Sequence, residues 1–153
     1  MPLHATVRGG MAVLSPSLED YLEEVYRFFT TQDVVRVSDI SRKLDVTMPS
    51  ASKALGKLRA KGYITYERYG FIRLTDKGRQ TGSYLVTRNQ LLQDFLSMLQ
   101  APCNVSTEAE AMEHYLSKEA VDSIQILMRF MQSNPEIYQA FVDYASKKQD
   151  RET

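Results

Sequence analysis

The sequence predicts a mainly α protein, with a winged helix-turn-helix domain on the N-terminal side and a helical dimerisation domain behind it. Three observations predict this. The segment VSDISRKLDVTMPSASKALGKLRAKGYITYERYGFIRL, residues 37–74, supplies a helix, a turn, a second helix and a hairpin in that order. After it, apolar residues recur at helical spacing almost to the end. Charge is also divided. Residues 34–89 carry twelve Lys/Arg against four Asp/Glu, while the whole chain balances at 19 of each. A basic module beside an acidic one suits a phosphate-facing domain joined to a domain with another task.

Taken in order, residues 1–14 hold no long apolar core. They make a poor signal peptide and are expected to be a flexible arm. The winged domain is expected over 15–80, a helical domain over 81–148, and a polar tail over 149–153. Ser15 as cap and Pro16 in the first turn open a helix to about Thr30. Leu18, Leu22, Val25 and Phe29 form its apolar stripe; Asp20 and Glu23 lie three apart and share another face. Ordinarily such acids form a solvated helix surface.

Val37, Ile40 and Leu44 give the next short helix, its start favoured by Ser38 and Asp39. Asp45 to Thr47 turn the chain. Pro49 suits the first turn of a helix whose inner face is Ala51, Ala54, Leu55 and Leu58. Gly62 stops it, because only Gly takes a left-handed cap freely. Residues 63–66 and 71–74 read as strands joined by a basic-tipped turn at 67–70. One helix of such a unit enters the major groove and the wing follows the backbone. The candidate double-stranded DNA contacts are Thr47, Pro49, Ser50, Ser52 and Lys53 at the start of the recognition helix. Lys57 is expected on phosphate, and Arg68 and Tyr69 at the wing tip.

Thr75 caps a long helix to about Leu99, apolar at Leu85, Leu92, Leu96 and Leu99. Asn89 falls on that stripe, where a buried amide needs a partner: a neighbouring backbone group or a ligand. Thr107 and Glu110 have capping-box spacing before a helix to about Leu116, and Ser133 and Glu136 have it before the last helix. Glu110, Glu113 and His114 fall toward one side at offsets of three and four. Carboxylates with an imidazole suit manganese or iron(II); as residues alone they also suit a cap, a solvated acid and a surface histidine. The helix around Val121–Met131 has an apolar face wide enough to need a second subunit. The single Cys103 excludes an internal disulfide and fits a cytoplasmic protein. No apolar run approaches a membrane span. No nucleophile–base pair or phosphate loop marks an enzyme.

The stretches SPSLEDYLEEVY, RVSDISRKLDV, KALGKL, GYITYERYGFIRLTDKG, LVTRNQLLQDFL and EAMEHYLS resemble the diphtheria-toxin-repressor family of metal-dependent transcriptional regulators, in its manganese-sensing MntR-like branch. The resemblance covers nearly everything after residue 14. It implies a homodimeric repressor of metal-ion homeostasis genes on a palindromic operator. Its cofactor would be a divalent metal, manganese(II) first and iron(II) second. The family's ligands fall on Asp20, Glu23, Glu110, Glu113 and His114. An aspartate at the first position is like the manganese branch. The family's sixth ligand, a histidine in the long helix, is Asn89 here. An amide oxygen is a weaker, harder ligand than imidazole, so a retained, a one-ion and a lost site all stay open. The resemblance also implies that metal ties the winged domain to the dimer domain. The two recognition helices then match major grooves about 34 Å apart. The alternative is a repressor of the same fold that answers to another effector.

Overall fold

The structure is a computed structural model, and it describes residues 14–152. The chain forms two compact units, residues 1–78 and 79–153, each described by itself. The arm expected at 1–14 lies outside the described residues except for Leu14, which is buried.

The N-terminal unit opens with α1 (Pro16–Thr31). Ser15 caps it by accepting from the Leu18 N–H at 3.3 Å, and Pro16 sits at the start where no N–H is needed. Next come β1 (Val35–Arg36), α2 (Val37–Lys43) and α3 (Met48–Ala60). Asp39 accepts from the Arg36 N–H at 2.9 Å, which fixes the start of α2. The turn to α3 is stapled twice. Ser41 Oγ donates to the Val46 carbonyl at 2.7 Å, and the Val46 N–H donates to the Ser41 carbonyl at 3.0 Å. Asp45 takes the left-handed backbone there (φ 51°), which Asp tolerates better than most residues. Gly62 ends α3 at φ 82°.

β2 (Ile64–Tyr66), a 3-10 turn at Arg68–Gly70 and β3 (Phe71–Leu74) make the wing. The sheet is antiparallel in the order β1-β3-β2, pairing Val35 with Ile72 and Tyr66 with Ile72 on the other side. β1 was not expected from sequence. Two residues are too few to show alternation, and the pairing is to a strand more than thirty residues away. Leu22, Val25, Val35, Ile40, Leu55, Leu58 and Ile72 form the buried centre.

α4 (Asp76–Met98) follows. Thr75 Oγ1 accepts from the Gly78 N–H at 3.0 Å and donates to the Gly62 carbonyl at 2.6 Å, so one hydroxyl joins the start of α4 to the end of α3. Gly78 is required by space: a Cβ there would overlap the Tyr63 carbonyl.

The C-terminal unit contains α5 (Val105–Glu113), α6 (Lys118–Ser133) and α7 (Pro135–Glu152). Leu92, Leu96 and Ala109 form its core, with Val105, Met112, Leu116 and Ile124 packed around them. Both expected capping boxes are corrected. Asn104, not Thr107, caps α5, accepting from the Thr107 N–H at 3.1 Å, so Glu110 stands well inside the helix. Ser133 is the last residue of α6, and Asn134 separates it from α7. α5 also stops at Glu113, with His114 as its C-cap, three residues before the expected end.

Candidate functional site

Two sets of polar residues stand out, one in each unit. In the N-terminal unit Thr47, Pro49, Ser50, Ser52, Lys53, Lys57, Arg68 and Tyr69 are all exposed. Five of them lie in the first two turns of α3 or at its cap, because Ala51, Leu55 and Leu58 turn the opposite face inward. Thr47 is the N-cap. Its hydroxyl accepts from the Ser50 N–H at 3.3 Å and donates to Ser50 Oγ at 2.9 Å, so both hydroxyls brace the helix start. Met48, at the first position of α3, is 47% exposed. A methionine beside a turn is more often part of a core.

The wing tip is held in an uncommon shape. Tyr69 has a left-handed backbone (φ 66°) and is 91% exposed, its ring edge-on to Phe71 at 6.5 Å. Other cations of the unit hold the sheet. Arg36 lies 4.9 Å over Phe71, Arg59 5.4 Å over Tyr66, and Arg73 pairs with Glu67 at 3.1 Å. Among the described residues Lys53, Lys57 and Arg68 make no ion pair, and their charge faces solvent.

On α1, Glu23 is buried and accepts from Arg27 at 2.7 Å, while Asp20 is half-buried. Burial pushes the neighbouring Glu24 carboxyl above its usual range, with Lys43 and Arg27 pulling it back.

The polar set of the C-terminal unit is inside. Glu113 is 1% exposed and Asn89 9%. The Asn89 Nδ2 donates to Glu113 Oε2 at 3.0 Å, and Gln93 Nε2 donates to Asn89 Oδ1 at 2.7 Å. His114 Nε2 lies 3.7 Å from Glu113 Oε1, beyond a direct hydrogen bond. Glu110, one turn earlier, is exposed. Within this unit the fold therefore brings together Asn89, Glu113 and His114. A buried carboxylate beside an imidazole nitrogen is a hard-to-borderline donor pair that fits a divalent cation.

Residues 13–71 match the family described as iron dependent repressor, N-terminal DNA binding domain. Residues 75–141 match its companion, the metal binding and dimerisation domain. The chain belongs to the iron-dependent repressor family. Among relatives of this family, it is 38% identical over 124 residues to the HTH-type transcriptional regulator MntR of Lysinibacillus sphaericus (strain C3-41), covering 80% of this chain and 89% of that protein. It is 35% identical over 139 residues to the MntR of Geobacillus kaustophilus (strain HTA426), covering 90% and 99%. A solved manganese-dependent transcriptional repressor in complex with manganese superposes with a TM-score of 0.67 at 28% identity, over 74% of this chain and 53% of that one. The manganese regulator SloR superposes with the same score at 24% identity, over 76% and 55%. This chain thus spans about half the length of those solved chains.

The iron-dependent repressor assignment makes the protein a metal-responsive, DNA-binding transcriptional repressor that acts as a homodimer. Among the described residues no helix is long and apolar enough to cross a membrane.

Proposed function

We propose that the repressor senses manganese(II), with iron(II) as the second candidate ion, and acts in the cytoplasm on metal-homeostasis genes through a palindromic operator. The support for manganese is the name carried by the relatives at 35–38% identity and the aspartate at position 20. The proposed donors are Asp20, Glu23, Glu110, Glu113 and His114. The observation that carries this reading is Glu113. A carboxylate with almost no access to water is costly unless donors or a cation face it. Asn89 supplies one donor, and the imidazole of His114 stands beside the other oxygen. A bound divalent cation supplies positive charge and a coordination geometry that these residues shape. Its occupancy is linked to DNA affinity, so operator DNA tightens metal binding by the same factor that metal tightens DNA binding.

On the DNA side, Thr47 and Ser50 lock the start of α3 while Met48, Pro49 and Ser52 meet the groove and Lys53 reaches phosphate. An exposed thioether suits contact with a thymine methyl. Lys57 and Arg68 take phosphate, and Tyr69 lies along the backbone. The proposed dimer face is the apolar side of α6 and α7 left exposed at Ile126, Leu127, Phe130 and Ile137.

The test is fluorescence anisotropy on DNA from upstream of the protein's own gene, with chelator and with manganese(II) at fixed ionic strength. Metal is expected to tighten binding by about 5- to 150-fold. Equal binding in both conditions would overturn the proposal.

A further inference from the structure

We infer that Thr75 and Lys77 are positioning residues for the recognition helix: they fasten the first turn of α4 to the backbone at the end of α3, and the metal response reaches DNA through this joint. The inference rests on the chain's being a metal-responsive repressor and not on which side chains hold the metal.

The end of α3 is first fixed within itself. The Tyr63 N–H donates to the Leu58 carbonyl and the Gly62 N–H to the Arg59 carbonyl, both at 3.0 Å, a pattern that closes a helix around a left-handed glycine. The carbonyls of Lys61, Gly62 and Tyr63 come next, and α4 with its cap residue meets all three. Lys77 Nζ donates to Lys61 at 2.8 Å, Thr75 Oγ1 to Gly62 at 2.6 Å, and the Thr75 N–H to Tyr63 at 3.1 Å. The Lys77 ammonium also stands 4.2 Å from the centre of the Tyr63 ring, a side chain 1% exposed. Gly78 lets the helix lie against the Tyr63 carbonyl, where a Cβ would overlap.

A loop held at one point can swivel there. One held at three successive carbonyls cannot turn without breaking a bond, and the bond from Lys77 is charge-assisted. The place of the joint in the chain gives it meaning. Thr75 and Lys77 fall within the metal binding and dimerisation match, which begins at residue 75, yet they are built into the compact N-terminal unit, which runs through residue 78. α4 is one continuous helix from Asp76 to Met98. A change in the direction of α4 is therefore carried by backbone bonds to the end of α3, the helix whose exposed first turns carry the DNA contacts proposed above.

The experiment measures binding of the full chain to DNA from upstream of its own gene by fluorescence anisotropy. It is done with chelator, with manganese(II) and, without oxygen, with iron(II), and the ratio of affinities with and without metal is taken. Manganese binding to the chain without DNA is read separately, by electron paramagnetic resonance of the free ion. The variants are Thr75→Val, Thr75→Ser and Lys77→Met. Thr75→Val and Lys77→Met are each expected to lower the ratio by about 2- to 30-fold, with metal binding in the absence of DNA unchanged. The ratio cancels the loss of one positive charge at residue 77, which weakens binding in both conditions alike. Thr75→Ser keeps the hydroxyl and is expected to keep the native ratio. Lys77 is exposed, so Lys77→Met keeps the test open if Thr75→Val fails to fold. A loss of DNA affinity by the same factor with and without metal overturns the inference, since it marks a joint that only stabilises the fold. So does a ratio as low in Thr75→Ser as in Thr75→Val, or a native ratio in Lys77→Met. These results leave the metal reading intact. A native chain whose ratio is one with both ions overturns the inference and the metal response together.

Discussion

Leu55 of α3 and Phe130 of α6 are both large apolar residues on amphipathic helices, yet the first has no exposed surface and the second is 49% exposed. The polar residues differ in the opposite sense. Lys53 and Arg68 of the N-terminal unit face solvent, whereas Asn89 and Glu113 of the C-terminal unit are buried. Among the described residues the N-terminal unit closes its core, with Glu23 and Ser41 as its buried polar or charged residues besides the tyrosines. That is the build of a module that meets a highly charged, hydrated polymer. The C-terminal unit keeps apolar surface outside and charge inside. Clustered exposed apolar residues call for another surface, and a buried carboxylate calls for a donor or a cation.

The sharpest way to break the comparison is to remove a side chain from each kind of apolar site. Leu55→Ala is expected to destabilise the N-terminal unit by about 2–5 kcal/mol, since a closed core collapses poorly around a cavity. Ile126→Ala, at a residue 68% exposed, is expected to leave monomer unfolding almost unchanged. Thermal unfolding at several protein concentrations checks both. A large loss for Ile126→Ala that does not depend on concentration would mean the exposed face of α6 serves the monomer.

The buried carboxylate gives the next largest effect. Glu113→Gln keeps the shape and an acceptor for Asn89 but removes the charge. Manganese affinity is expected to fall by at least about 100-fold, more than the loss of an outer partner brings. The metal-free chain is expected to be no less stable, because a buried charge has been removed. Calorimetric titration and a melting curve without metal separate the two. Lower stability with unchanged metal binding would make Glu113 a structural residue only.

Phe130→Glu tests the surplus apolar face. A charge at the centre of an interface is expected to weaken dimerisation by about 30-fold, on the order of 2 kcal/mol. Sedimentation equilibrium reads this directly. An unchanged dimer would place the interface elsewhere on the unit.

How much of this was legible in the sequence depends on how local each determinant is. Gly62 and Pro49 announce the ends of α3 because such signals act over three or four residues. The start of α5 was misplaced for a related reason. Thr107 and Glu110 have capping spacing, but Asn104 competes with the same chemistry three residues earlier, and spacing alone does not choose between them. Ser133 lost its capping role because α6 runs through it and Pro135 opens α7. β1 depends on a partner strand far along the chain. Asn89 was visible as a polar residue on an apolar stripe, but its partner was not. Glu113 is on another helix, 24 residues away, and no periodicity joins them. Of the proposed metal donors, Glu110, Glu113 and His114 were grouped by their helical offsets, and Asp20 and Glu23 joined them only through the family resemblance, since each alone is an ordinary acid.

The smallest expected effect lies on the exposed side of the comparison and separates its two kinds of contact. Lys53→Ala removes one charge that faces solvent at the start of α3. If it meets phosphate, binding weakens by less than about tenfold, similarly on every sequence, and the slope of log affinity against log salt falls by about 0.9. Met48→Ala removes no charge. If its thioether meets a thymine methyl, the salt slope stays and the loss is confined to operators carrying that thymine. Anisotropy across a salt series, on the native operator and on one with a single thymine replaced, reads all four combinations. A Lys53→Ala loss confined to one base change would exchange the roles of the two residues. It would put direct base reading on the cation and leave Met48 as packing at the helix end.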